Sequence, residues 1–451
     1  MKREAISTLS IWKKSANRKP LIIRGARQVG KTWLMQEFGR QHYAQTVYIN
    51  FDNDPRMAAL FRIDMDCKRI LMGLELVAGH AIDIEKTLLI FDEIQAVPQA
   101  LASLKYFYET MPECHIICAG SLLGVALHEG TSFPVGKVDF LDLRPMSFIE
   151  FLQATGKTLY AESIDRQDWG LLTSFKTTLI EALKHYFVVG GMPEAVAHFA
   201  EHHDFNRVRA IQTAILTAYE QDFSKHAPTA EVPRLRMLWN SIPSQLSKEN
   251  KKFVYGVVRK GSRAKDYEMA LLWLADCGLV HCVHRITAPR LPLRSYEERA
   301  FKLFLLDVGL LGCMARLAPQ IILDGDALFT EFKGALTEQY VLQELLAYSN
   351  REELAWPKEY VTYWGNDAGT AEIDFVVDNS QGNAFNTHAG IIPIEVKATQ
   401  NLQAKSLKVY REKYQPAQSI RTSLADYKEE NGLVNIPLYA FASVMRREGK
   451  V

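Results

Sequence analysis

The hydrophobic positions fall into two rhythms that alternate along the first third of the chain. Short apolar runs, "LII" (21–23), "LLIF" (88–91) and "HIIC" (115–118), are bounded by glycine or polar residues. Unbroken runs of this length suit strands buried on both faces. Between them, apolar residues return every three or four positions, as Trp33, Leu34 and Phe38 do, which predicts helices. "TVYINFDND" (46–54) supplies another strand, and "KVDFLDLRPMSFIEFL" (137–152) gives a fifth that leads into a helix. Strands alternating with helical patterns predict a parallel sheet with helices on both faces.

From about 166 to 225 the helical period dominates, broken by a Gly-Gly-x-Pro turn at 190–193. The stretch from "VPRLRMLWNSIPSQL" (232–246) to "RAFKLFLLDVGLL" (299–311) reads as helix, short element, long helix, then strands. That order suits a winged helix. "FTEFKGALTEQYVLQELLAY" (329–348) is an amphipathic helix, and "EIDFVV" (372–377) and "PIEVKA" (393–398) are strands. The expected division is a P-loop core at 1–160, a helical lid at 161–225, a winged-helix module at 226–320 and an α/β domain at 321–451.

Composition narrows the picture without changing it. At 451 residues the chain exceeds one ordinary core, so about three domains are expected. A net charge of +1 leaves nucleic-acid affinity to local patches, such as Lys251, Lys252, Lys260, Arg263 and Lys265. The six cysteines (67, 114, 118, 277, 282, 313) form no CxxC pair and read as reduced core thiols. His281 and His284 are too isolated for a metal site. The first residues lack a signal peptide's apolar region and no run reaches transmembrane length, so a cytosolic protein with no membrane partner is expected.

The chemistry at the front is carried by Gly25-x-x-x-x-Gly30-Lys31-Thr32, between a strand and a helix. Glycines there let backbone N–H groups approach phosphate oxygens, and the helix N-terminus adds its positive end. Gly25, Gln28, Val29, Gly30, Lys31, Thr32 and Trp33 are the candidate nucleotide contacts, with Lys31 on the β/γ phosphates and the Thr32 hydroxyl on Mg²⁺. "TLLIFDEIQ" (87–95) ends a buried strand in Asp92-Glu93, where an α/β sheet places its ligand site. Asp92 is the second candidate for Mg²⁺, and Glu93 is the candidate base for the attacking water. Ser121, ending the next strand, is placed near the γ-phosphate.

These stretches, with "RPMSFIEF" and Gly190-Gly-Met-Pro-Glu, resemble a family of prokaryotic AAA-type ATPases. The resemblance spans essentially the whole chain. It implies ATP as ligand and an AAA-type core coupled to a winged helix and a C-terminal domain with a nuclease-like fold. No arginine finger can be placed, and Arg144 reads as a surface charge beside Pro145.

The back of the chain offers a second constellation. Glu338 on a helix, Asp374 on a strand, then Glu395-x-Lys397 on another strand, follow the PD-(D/E)xK order of restriction-endonuclease-like domains. Asp374 and Glu395 are the candidate ligands of a catalytic Mg²⁺, Lys397 the group that deprotonates water or steadies the phosphorane, and Glu338 a supporting acid. Lys405, Lys408 and Arg411, on the helix that follows, face a DNA backbone in this reading. Two functions are therefore expected: an ATPase controlling a metal-dependent DNA nuclease, or a nucleotide-dependent switch whose back domain binds DNA, a protein partner or a second copy without cutting.

Overall fold

The computed structural model describes residues 1–120, 133–248, 251–324, 330–347, 361–379, 390–400 and 402–445. They form two compact units. One comprises Arg3–Arg144 with Asp276–Gly278, and the other Met1–Lys2, Pro145–Ala275 and Leu279–Val451.

The first unit is built on five parallel strands, β1 (Leu21–Arg24), β2 (Gln45–Asn50), β3 (Thr87–Asp92), β4 (His115–Ala119) and β5 (Asp139–Asp142). Their order is β2-β3-β4-β1-β5, with Leu21 aligned to Ile117 on one side and Asp139 on the other. Every residue of β3 and β4 is buried, which explains why their sequences show no polar alternation. Helices Pro55–Ile63, Cys67–Ala78 and Pro98–Thr110 cover one face. Met57, Phe61, Ile70, Leu74, Leu104 and Phe107 pack there against Ile49, Phe51 and Phe91. The Phe51 ring lies 5.4 Å from both Phe61 and Phe91, edge to face. The parallel, helix-covered sheet expected from the alternation is the one observed. Because all five strands run the same way, β1 and β3 end on the same edge, where an α/β sheet holds ligands.

Arg144 is buried rather than exposed, and burial lowers its pKa. Its guanidinium lies 3.7 Å from Asp142 Oδ2, so following a strand end did not place it in solvent. Its carbonyl accepts from Arg3 Nη2 at 2.7 Å, while Arg3 Nη1 donates to Val29 O at 2.9 Å. Arg3 thereby ties the phosphate-loop backbone to the end of β5.

The second unit combines a helical layer with an eight-stranded sheet. Its strands are β6 (Val280–Ile286), β7 (Glu297–Leu305), β8 (Val361–Gly365), β9 (Glu372–Asn379), β10 (Gly390–Val396), β11 (Ser419–Ser423), β12 (Lys428–Glu430) and β13 (Leu433–Pro437). The order is β12-β13-β11-β10-β9-β8-β6-β7. The hairpin β6–β7 follows helices Val232–Leu246 and Glu268–Asp276, the order expected of a winged helix. It nonetheless continues the C-terminal sheet, because β6 pairs in parallel with β8 through Arg285–Tyr363 and Ile286–Trp364. The expected division at 320/321 falls between strands of one sheet.

The Gly-Gly-Met-Pro turn is a packing device. Asp307 Oδ2 accepts from Gly191 N at 2.6 Å, and Oδ1 accepts from Leu310 N at 2.9 Å. Gln343 Nε2 bridges Asp307 Oδ2 at 3.1 Å and Tyr186 OH at 2.8 Å, and Tyr186 OH donates to Met146 O. A Cβ on Gly191 would lie 2.1 Å from Met146 O, a backbone atom that cannot step aside. Gly191→Ala should therefore cost about 3 kcal/mol of stability, as overpacking does in a closed core. A thermal melt within a degree of wild type would contradict this account of the motif.

The six cysteines are all free, four buried and two partly so. Among the described residues, no helix is long and apolar enough to cross a membrane.

Candidate functional site

At the front site, β1 runs into the loop and helix Lys31–His42 leaves it. Gly25 has φ +145°, and a Cβ there would meet Leu143 O at 2.3 Å, so only glycine lets the loop lie this close to the chain beyond β5. Gln28 and Gly30 also have positive φ, at 65° and 93°, which turns the loop into the helix. Gln28 is exposed, Val29 is fully buried and Trp33 is 40% exposed at the helix start.

Lys31 Nζ donates to Gly25 O and Ala26 O, both at 2.8 Å, so the ammonium is folded back against the loop it opens. Burial lowers its pKa to about 8, against the pull of Glu93 and Asp92. Thr32 Oγ1 donates to Asp92 Oδ2 at 2.7 Å. Tyr48 OH donates to the same oxygen at 2.9 Å, while Asp92 Oδ1 accepts from Glu93 N at 3.1 Å. A hydroxyl and a buried carboxylate in contact form the hard-oxygen pair that Mg²⁺ takes, so these residues fit that ion. Glu93 sits in the left-handed region at φ 51°, and its Oε2 accepts from Gln95 Nε2 at 2.5 Å. A non-glycine residue held there, directly after Asp92, is backbone strain at the end of β3. Ser121 lies outside the described residues.

The back constellation also converges. Ile394 of β10 pairs with Phe375 of β9, antiparallel, so the next step sets Glu395 opposite Asp374. Asp374 Oδ2 accepts from Val396 N at 2.8 Å, and Glu395 Oε1 lies 2.6 Å from Lys397 Nζ. Glu338, on helix Thr330–Ala347, is buried beside them and hydrogen-bonds Asp374. Burial, with Glu338 and Glu395 adding repulsion, pushes the Asp374 carboxyl well above the usual range. Burial would raise Glu338 too, but Lys251 and Lys302 outweigh it and carry its pKa down to about 2.

Sequence reasoning missed those two lysines in this role. The run of basic residues at 251, 252 and 260 predicts a surface patch, yet the Lys251 ammonium turns inward to Glu338 Oε1. Lys302 is completely buried on β7, with Nζ 2.6 Å from Glu372 Oε1, 3.5 Å from Glu338 Oε2 and 3.9 Å from Asp374 Oδ1. The signal lay in "AFKLFLLD" (300–307), one lysine inside an otherwise apolar run. A lysine is almost never fully buried unless it is paired. Tyr48 gave no such signal, since a tyrosine on an edge strand is ordinary.

A divalent ion at Asp374 and Glu395 does not fit this arrangement. Each carboxylate it would need already has one oxygen on an ammonium or a backbone N–H, and the buried Lys302 ammonium lies among them, although Glu395 Oε2 has no hydrogen-bond partner. Among the described residues, no group of three or more acid, histidine or cysteine side chains is placed to hold a metal.

Comparison with known proteins separates the front from the back. Residues 17–152 match the AAA domain family. Residues 180–321 and 333–441 match two domains of unknown function, DUF8612 and DUF4143. No curated protein sequence matches the chain. Among solved structures, the Walker-type ATPase PABY2304 of Pyrococcus abyssi is 15% identical, with 70% of this chain and 95% of that one covered and a TM-score of 0.43. The Aeropyrum pernix ORC1 protein, solved in complex with DNA, is 12% identical over 70% and 91% of the two chains, at a TM-score of 0.27. The Thermotoga maritima RuvB Holliday junction branch migration motor is 13% identical over 62% and 89%, also at 0.27. None of the three reaches a TM-score of 0.5.

The front unit is thus an AAA-type P-loop domain, and the protein is an ATPase.

Proposed function

We propose that the protein binds ATP with Mg²⁺ at the loop 25–32 and hydrolyses it, and that its nucleotide state controls a C-terminal domain that binds without cutting. Lys31 meets the β/γ phosphates, Thr32 and Asp92 hold Mg²⁺, and Glu93 orients and deprotonates the attacking water. Gly25, Gln28, Val29, Gly30 and Trp33 surround the phosphates and the helix start in this reading. The observation that carries it is the Thr32–Asp92 contact at 2.7 Å, beside a buried ammonium held only by loop carbonyls. Those contacts support a phosphate-side role for Lys31 and a metal-side role for Thr32 and Asp92.

For the C-terminal domain, the nuclease reading draws on the meeting of Glu338, Asp374, Glu395 and Lys397. The lysines beside them favour the binding reading. Lys405 and Lys408 are exposed on helix Lys405–Tyr414, which leaves a basic face for DNA or an acidic protein surface. Arg411, expected to join them, instead donates to Asn431 O.

Asp92→Asn tests the metal half of the site. Losing one anionic ligand should weaken the Mg²⁺ dependence of hydrolysis by about tenfold or more in half-saturating Mg²⁺, as the loss of one charged contact does. The measurement is phosphate release at saturating ATP against Mg²⁺ concentration. An unchanged curve would remove Asp92 from the metal site.

A further inference from the structure

We propose that the Lys302 ammonium takes the place of a divalent metal ion in the C-terminal carboxylate cluster, making it a permanent, metal-free joint between the β6–β7 hairpin that carries Lys302 and the helix and strands that carry the acids.

The charges argue for substitution. With every acid ionised, the three carboxylates Glu338, Asp374 and Glu395 and the one ammonium Lys397 carry a formal charge of −2, which one divalent ion cancels. This chain adds Glu372, Lys251 and Lys302 around the same acids, so four carboxylates meet three ammonium groups and the formal charge falls to −1. A divalent ion entering now would overshoot neutrality and face a buried ammonium across the same oxygens. The low-dielectric surroundings make that repulsion expensive.

The contacts agree. Lys302 Nζ reaches Glu372, Glu338 and Asp374 at 2.6, 3.5 and 3.9 Å, spanning helix Thr330–Ala347 and β9 as a bridging ion would. Glu338 Oε1 is taken by Lys251, Glu395 Oε1 by Lys397 at 2.6 Å and Asp374 Oδ2 by the Val396 N–H at 2.8 Å, which leaves Glu338 Oε2 to the Lys302 charge at 3.5 Å and Glu395 Oε2 without a hydrogen-bond partner. Lys302 has no solvent-exposed surface, so its charge has no alternative partner in water. The backbone supports the placement, since Lys302 is paired with Val283 within the hairpin and bridged to Lys252.

The joint also crosses the matched domains. Lys251 and Lys302 lie within residues 180–321, and Glu338, Glu372, Asp374 and Glu395 within 333–441. An exchangeable metal would make the connection depend on supply. A lysine makes it a fixed part of the fold, locking the β6–β7 hairpin to the acids of the C-terminal segment.

The test uses the nucleotide-free full-length chain and Mn²⁺ alone, followed by electron paramagnetic resonance. Wild type should bind no Mn²⁺ that Asp374→Asn removes. Lys302→Met, similar in length but neutral, should gain a Mn²⁺ site at least about tenfold tighter than any in wild type, corresponding to about 1.4 kcal/mol. That site should vanish when Asp374→Asn is added, and Lys302→Arg, which keeps the charge, should not acquire it. Mn²⁺ should raise the melting temperature of Lys302→Met and leave wild type unmoved. Wild-type Mn²⁺ binding lost in Asp374→Asn would overturn the proposal, as would a folded Lys302→Met that gains no site. If circular dichroism shows Lys302→Met unfolded, the comparison of wild type with Asp374→Asn decides alone.

Discussion

Replacing Lys31 with alanine should reduce ATP affinity by at least about 100-fold, roughly 2.7 kcal/mol. The ammonium is held by the Gly25 and Ala26 carbonyls, and among the described residues it has no carboxylate partner within hydrogen-bond reach. Asp92 and Glu93 act on it through space and raise its pKa, which burial lowers to about 8. Without it, the phosphates would face Asp92 and Glu93 with one positive charge fewer to offset them, so attraction would weaken. The fold should survive, because Lys31 makes only backbone contacts at the first position of a helix whose Leu34, Met35 and Phe38 remain buried. Titration of a fluorescent ATP analogue, with circular dichroism as the control for folding, checks this. Equal affinity in wild type and variant would move the nucleotide elsewhere.

Glu93→Gln should separate binding from chemistry. Hydrolysis should fall by about 100- to 10,000-fold, the usual range for loss of a positioned general base, while ATP affinity stays at the wild-type level. Glutamine keeps the carbonyl oxygen that Gln95 donates to, so the side chain keeps its place. The left-handed backbone at φ 51° is set by the turn after β3 and asks nothing of the charge. The capacity to take a proton is removed, together with one negative charge that acts on Lys31 through space. Hydrolysis at the wild-type rate would give the water to another group.

How much of this was legible depends on how local each feature is. The five front strands, the loop and Asp92–Glu93 could be read directly, because each is one apolar run or one contiguous motif and the sheet follows from their alternation. The back acids were legible for a related reason: Asp374 and Glu395 sit at the same depth on antiparallel neighbours, so strand alternation alone puts them on one face. Lys302 was not. Its run predicts a buried strand correctly, but its acids lie tens of residues downstream, on a helix and a strand that sequence spacing does not bring together. Lys251 misled for the opposite reason. A lysine beside lysines reads as surface, and only the approach of Glu338 turns it inward. The hairpin β6–β7 was expected as a separate module, because strand pairing across an intervening helix leaves no trace in local pattern. Arg144 was read as a surface charge from its strand-end position, yet the carbonyl that anchors Arg3 is its own. The Gly-Gly-Met-Pro turn signalled a break in helical period, while its dependence on Asp307 and Met146 appears only in three dimensions.

Single-turnover phosphate release from ATP, followed in wild type and Glu93→Gln after each is loaded with ATP and Mg²⁺ is added, tests the central claim most directly. The account predicts phosphate release by wild type that stops when Mg²⁺ is chelated, and bound, intact ATP in Glu93→Gln. Wild type that holds ATP and releases no phosphate with Mg²⁺ present, or a variant that releases it as fast, would contradict it.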